Sequence, residues 1–211
     1  MSGAKQLDLA GILQVVRQRG GAARNLTAIA GAPGSGKSTL AEAVVAKLNE
    51  DAPDSAAVLP MDGYHFDDRV LVPRGLRPRK GAPDTFDVAG FYHMLQRLKR
   101  NEGPEIAVPV FDRDLEIARA GARLIPQSVR HLIVEGNYLL LDRPGWSSLR
   151  DLFDTTIMIA VPEAVLRQRL IARWQGYQLP PDEVTAKVET NDLPNGRLIM
   201  SASVPSEFVF S

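Results

Sequence analysis

The segment Gly31-Ala-Pro-Gly-Ser-Gly-Lys37-Ser38-Thr39 constrains this chain more than any other. It fits the pattern G-x-x-x-x-G-K-[ST] in full. Residues 26–30, just before it, form a short apolar run that reads as a buried strand. Residues 38–49, just after it, place Leu40, Val44, Val45 and Leu48 on one side of a helix. Strand, glycine-rich turn and helix, in that order, aim several backbone N–H groups and the positive end of a helix at one point. That point suits a chain of phosphates. Lys37 can reach the β- and γ-phosphates, the Ser38 hydroxyl can ligate Mg²⁺, and Thr39 can donate to an inner phosphate. Gly31, Ala32, Pro33, Gly34, Ser35, Gly36, Lys37, Ser38 and Thr39 are therefore the candidate nucleotide-binding residues. The motif alone does not separate a kinase from an ATPase or a GTPase.

The rest of the chain repeats the strand–helix alternation. The pattern predicts helices over residues 7–19, Val88–Arg100, 163–174 and 182–191, and strands over Ala56–Pro60, 106–111, 132–135, 155–161 and Phe208–Phe210. Gly20 and Gly21 stop the first helix, Asp87 caps the next, and Pro162 suits a first helical turn. Residues 69–83 read as a loop, and 176–181 as a break. This is an α/β pattern with a mostly parallel sheet, whose active site lies beyond the carboxyl ends of the strands. Its 211 residues suffice for one domain spanning 1–211.

Composition narrows the functions. Lys plus Arg and Asp plus Glu number 25 each, which argues against nucleic acid or an anionic membrane as partner. The absence of cysteine excludes disulfides, thiolate metal sites and a cysteine nucleophile. Residues 1–5 lack an apolar signal core, and no stretch approaches the roughly 20 apolar residues of a membrane span. A cytoplasmic protein is the expectation.

Several polar residues fall at predicted strand ends. Asp62 follows the second strand, where a carboxylate can accept the proton of an attacking hydroxyl; a turn-forming Asp-Gly is the alternative. Glu135 ends an apolar strand and can serve Mg²⁺, or it is a solvated edge residue. Arg169 and Arg173 are four apart and share a helix face, while Arg167 points elsewhere. A guanidinium pair there can stabilise transferring charge as a lid over the phosphates, or form a solvated basic face. Arg69, Arg74, Arg77, Arg79 and Lys80 form a basic loop that can receive an anionic acceptor, cover the triphosphate or remain solvated. His65 can contact substrate or be structural. Trp146 and Trp174 read as packing residues.

Together, Met61-Asp62-Gly63-Tyr64-His65, Arg79-Lys80-Gly81-Ala82-Pro83-Asp84-Thr85-Phe86-Asp87, Pro109-Val-Phe-Asp112-Arg113 and Val134-Glu135-Gly136 resemble the uridine kinase, type I pantothenate kinase and phosphoribulokinase superfamily. The likeness is strongest to its small bacterial members, the nucleoside kinase-like or fructose transport system kinases. It covers about residues 7–210. The resemblance implies a three-layer P-loop kinase fold with a parallel sheet of order 2-3-1-4-5 and a lid near residues 167–182. It also implies ATP and Mg²⁺ as cofactors. By the same resemblance Asp62 is the catalytic base, Glu135 assists metal or acceptor, Arg169 and Arg173 belong to the lid, Asp112 and Arg113 line the acceptor pocket, and Asn195 lies by the adenine. The aromatic set around the base in uridine kinases has no match here, and pantothenate kinases and phosphoribulokinases are longer.

The expectation is an ATP-dependent kinase acting on a hydroxyl of a small metabolite. A sugar or sugar-like alcohol leads, with a nucleoside or a pantothenate-type compound next. Asp62, Lys37, Arg169 and Arg173 are its catalytic residues, Ser38 and Glu135 its metal ligands, and Asp62, His65, Arg79, Lys80, Asp112, Arg113 and Glu135 its substrate residues. A nucleotide-switch ATPase or a regulatory ATP-binding protein is the rival reading. No N-K-x-D tetrapeptide supports a GTPase switch. A homodimer is left open.

Overall fold

The computed structural model describes residues 4–21 and 23–210. Residues 1–3, the start of the stretch read as lacking a signal core, lie outside the described residues. The chain runs β1 (Lys5–Gln6), α1 (Leu9–Arg19), β2 (Asn25–Gly31), α2 (Lys37–Asp51), β3 (Ala56–Pro60), α3 (Asp68–Leu71), α4 (Val88–Arg100), β4 (Glu105–Asp112), β5 (Ile117–Pro126), β6 (His131–Gly136), β7 (Thr155–Ile159), α5 (Glu163–Gly176), α6 (Pro181–Lys187), α7 (Leu193–Ala202) and β8 (Phe208–Phe210).

Six strands form one parallel sheet in the order β1-β8-β7-β2-β6-β3. Counted from the strand that enters the glycine-rich loop, five of them keep the order 2-3-1-4-5. The difference from expectation is β1, a two-residue strand added beside β8. Side chains alternate between two cores, as the period of two demands. Leu26, Ala28, Ala30, Leu132, Val134 and Met158 face a core shared with α4 and α7. Ile29, Ile133, Ile157 and Ile159 face one shared with α1 and α2. Both faces are therefore covered by helices. The register places Pro60 opposite Glu135 and Ile29 opposite Glu135, so the ends of β3, β6 and β2 meet at one edge.

Three readings need correction. The strand at 106–111 stands outside the parallel sheet: β4 pairs antiparallel with β5, a strand the pattern does not predict. Residues 119–124 of β5 are exposed, so no apolar alternation marks them. Residues 69–83 hold most of α3 and the 3-10 turn Arg77–Arg79, and a second 3-10 turn, Pro83–Thr85, begins at their end. The helix read over 182–191 is α6 followed by a π-helical turn, Val188–Asp192, that runs directly into α7. In addition, Pro162 stands at the N-cap of α5, one place before its first turn.

Buried Arg24 fixes the hairpin base against the sheet. Its guanidinium donates to the carbonyls of Pro126 (2.6 Å), Val129 (2.7 Å) and Leu98 (3.2 Å). Burial lowers its pKa to about 10. No helix among the described residues is long and apolar enough to cross a membrane.

Candidate active site

The glycine-rich loop turns between β2 and α2 as its composition requires. Gly34 and Gly36 hold φ of 77° and 94°, a region a side chain would penalise. Gly36 is the N-cap of α2, so the first turn of that helix points its free N–H groups into the cleft. The side chain of Lys37 folds back over the loop, and its Nζ donates to the Ala32 carbonyl at 3.0 Å. The Ser38 hydroxyl donates to Glu135 Oε1 at 3.3 Å. Ser35 keeps a buried hydroxyl with no partner among the described residues.

Glu135 and Lys37 are both buried inside this corner. Burial pushes the Glu135 carboxyl up and the Lys37 ammonium down, and their mutual attraction opposes both shifts. A phosphate chain would add counter-charge beside Lys37 and offset the cost of its burial. Ser38 and Glu135 are oxygen donors of the kind Mg²⁺ accepts. Among the described residues there is no group of three or more His, Asp or Glu side chains that could enclose an ion. Such a sparse donor set fits Mg²⁺ that draws its other ligands from phosphates and water.

Asp62 lies in the 3-10 turn Met61–Tyr64 that follows β3. The next residue is glycine for a steric reason. A Cβ on Gly63 would stand 2.6 Å from the Pro109 carbonyl oxygen, so the turn packs backbone to backbone on the hairpin. This contact falls where the β4–β5 register shifts, between Val108 and Val110. It brings the hairpin turn over the base of the cleft, where Arg113 Nη2 donates to Asp62 Oδ2 at 2.8 Å. His65 Nδ1 donates to the Asp62 carbonyl at 2.7 Å. Its ring packs against Phe86 (4.0 Å) and Phe111 (4.7 Å), and burial lowers its pKa.

The helix arginines divide as their spacing demands. Arg169 and Arg173 line the cleft, and Arg169 donates to the carbonyls of Gly34 (3.3 Å) and Ser35 (3.4 Å). Arg167 is turned away and pairs with Glu163 and Glu189. The basic loop is less free than its sequence suggests. Asp68, just before it, takes Lys80 (2.8 Å) and Arg77 (2.6 Å), and Lys80 also reaches the Glu116 carbonyl. These partners, Lys80 first, hold the Asp68 carboxyl below its usual range.

One cavity of about 950 Å³ joins these groups. It is lined by residues 33–39, Asp62, His65, Lys80, Arg113, Glu135, Arg169, Arg173 and Asn195, so most of the sequence-derived candidates meet in one place. Gly31 and Ala32 are buried and do not line it. Two further candidates are not brought there. Arg79 is exposed outside the lining. Asp112 closes the hairpin turn, accepting from the Leu115 N–H (3.1 Å) and pairing with Arg119 (3.2 Å). Buried Asn195 donates to Asn191 (3.2 Å), which in turn donates to the Lys80 carbonyl (3.0 Å). These contacts tie the segment before α7 to the basic loop.

Other lining residues carry no sequence motif. Trp146 packs in the core with Tyr138 and Phe86, as expected. Trp174 also packs, against Leu166 and its buried neighbours, and in addition lines the cleft, its indole N–H donating to Asp192 (2.7 Å) with Lys187 Nζ 4.6 Å from its ring centroid. Leu9 and Phe210 reach the rim from opposite ends of the chain.

A parallel sheet whose glycine-rich loop feeds a helix, with lysine, serine and a strand-end carboxylate converging there, defines a P-loop nucleotide-binding protein. Comparisons with known proteins narrow this. No family model matches the chain. A Schizosaccharomyces pombe protein named "Putative uridine kinase C227.14" is 32% identical over 193 residues, covering 88% of this chain and 82% of its own. "ATP-dependent kinase YFH7" of Kluyveromyces lactis is 30% identical over 202 residues, covering 75% of this chain and 57% of its own. A crystal structure from Silicibacter sp. TM1040, titled as a "putative fructose transport system kinase", superposes with a TM-score of 0.90 at 44% identity. It covers 97% of this chain and all (100%) of that one. The chain belongs to the uridine kinase and phosphoribulokinase-like family of P-loop kinases.

Proposed function

We propose that this protein transfers the γ-phosphoryl group of ATP to a hydroxyl of a small metabolite, a sugar or sugar-like alcohol in the first instance. The observation that carries the reading is the placement of Asp62. Its carboxylate lies at the strand-end edge of the same cavity as the phosphate loop, beside Glu135 and Lys37. Names among the relatives support the class: an ATP-dependent kinase, a uridine kinase and a fructose transport system kinase.

The residues divide the work. The loop N–H groups and the first turn of α2 hold the phosphates. Lys37 exchanges the Ala32 carbonyl for phosphate oxygen and follows the charge as it moves. Arg169 and Arg173, on the helix that borders the cleft, stabilise that charge and shield it from water. Asp62 takes the acceptor's proton as the acceptor oxygen bonds to the γ-phosphorus, the bridging P–O bond breaks and ADP leaves. His65, anchored on the Asp62 backbone, and Lys80 border the acceptor. Ser38 and Glu135 would hold Mg²⁺, which when bound neutralises part of the phosphate charge.

The test is ADP release from ATP across a panel of sugars, sugar alcohols, nucleosides and pantothenate, with the phosphorylated product identified by mass. Stimulation by a sugar or polyol is expected. Stimulation by a nucleoside or pantothenate alone would move the acceptor class. Turnover that no compound accelerates would favour a nucleotide-switch ATPase.

A further inference from the structure

The Asp62–Arg113 ion pair stands on the boundary between two cavities. The larger holds the phosphate loop. The smaller, about 330 Å³, is lined by Glu42, Val58 and Arg123 together with Asp62, Arg113 and Glu135. The backbone that carries Arg113 is fixed, since the neighbouring Asp112 closes the hairpin turn. The guanidinium itself is not. Its one hydrogen bond among the described residues is to Asp62, and its side chain is 46% exposed. Beside it the smaller cavity gives it room to move.

A carboxylate that accepts a proton from an attacking hydroxyl must present a lone pair to it. Here Oδ2 of Asp62 is already taken. The competitor that such an arrangement disfavours is water. Attack by a water oxygen would bond it to the γ-phosphorus, break the bridging P–O bond, release ADP and hand the water's proton to Asp62. We propose that Arg113 is a positioning residue that occupies Oδ2 of Asp62 against water and is displaced by the acceptor, so that the base is more open when an acceptor is present. This rests on the reading of Asp62 as the base. It gives Arg113 a part in discriminating acceptor from solvent.

The first arm of the test needs no acceptor; the control on Asp62 uses whichever compound the panel identifies. ADP release from MgATP alone is compared in the wild type, Arg113→Gln, Arg113→Lys and the double variant Arg113→Gln/Asp62→Asn. A half-exposed ion pair sustains a population ratio of about two- to fivefold, so Arg113→Gln should raise acceptor-free ADP release by about that factor. Arg113→Lys keeps the charge and should fall back toward the wild type. The double variant should lose the increase, because the released activity runs through Asp62. ATP affinity and thermal midpoint, measured on the same samples, report folding; Arg113→Met replaces the Gln variant if that one does not fold. No increase in a folded, ATP-binding variant overturns the proposal, as does an increase that survives Asp62→Asn. Failure of the underlying reading looks different: Asp62→Asn alone would then leave acceptor phosphorylation intact.

Discussion

The two ends of the cleft are built on opposite plans. The phosphate end comes from one continuous segment, residues 31–39, and works chiefly through backbone N–H groups set by two left-handed glycines. The other end gathers Asp62, His65, Lys80, Phe111, Arg113 and Glu135 from separate segments. Most of its charged side chains are already engaged: Asp62 with Arg113, Lys80 with Asp68, and Glu135 with Ser38. At the phosphate end the backbone frame is preset and only the side chains of Lys37, Ser38 and Arg169 would change partners, whereas at the other end most of the charged groups would. On the proposed reading the first design suits any nucleoside triphosphate, and the second would select a compound that repairs the broken contacts.

The comparison can be broken by showing that the two ends do not act separately. Asp62→Asn carries the largest expected effect: a fall in kcat of about 10²- to 10⁴-fold with ATP affinity nearly unchanged. Loss of ATP binding in step with kcat would merge the two ends. Arg173→Ala and Arg169→Ala should each lower kcat by about 10²- to 10³-fold, the usual cost of one donor to transferring charge. Lys37→Ala should damage ATP affinity and turnover together, and calorimetric titration beside steady-state assays separates these patterns.

Smaller effects sharpen the contrast. Gly63→Ala forces a Cβ against the Pro109 carbonyl and should cost about 1–3 kcal/mol in denaturant unfolding, as overpacking does. Its acceptor KM should rise more than its ATP KM. The weakest effect concerns pH. Burial depresses the His65 pKa below its ordinary 6.5, so the native state favours the neutral ring. The stability from this preference is present above pH 6.5 and is lost as pH falls through the depressed value. His131 is shifted the same way and adds to the slope. Melting curves from pH 7 to 5 should therefore decline, and His65→Gln should flatten part of the decline. An unchanged slope would show that the ring is charged in the native state.

What the sequence made legible follows the same division. The loop and its flanking strand and helix are local, and their pattern alone places them correctly. The β4–β5 hairpin is not local in that sense. β5 is exposed over 119–124 and takes its place from Arg24, Gly63 and the ladder to β4, none of which leaves a periodic trace. Helix α7 was hidden by Pro194 and Gly196, which look like breakers. Pro194 lies in the first turn, where it is tolerated, and Gly196 packs closely on Ala32. Trp174 packs on a buried cluster, as its type suggests, and also walls the cleft, which composition cannot show. The basic loop looked unpaired because Asp68 lies just outside it and the Glu116 carbonyl arrives from the hairpin turn.

The pairing of β1 with β8 bears on how the chain matures. Lys5 and Gln6 align with Phe208 and Val209, partners separated by roughly two hundred residues, the kind of contact that closes slowly. During synthesis β2, β6 and β7 can come together while that edge is still missing. Phe210, which walls the cleft, is brought to it by β8. A chain truncated before Phe208 should therefore carry a complete phosphate loop beside a pocket that lacks its β8 wall.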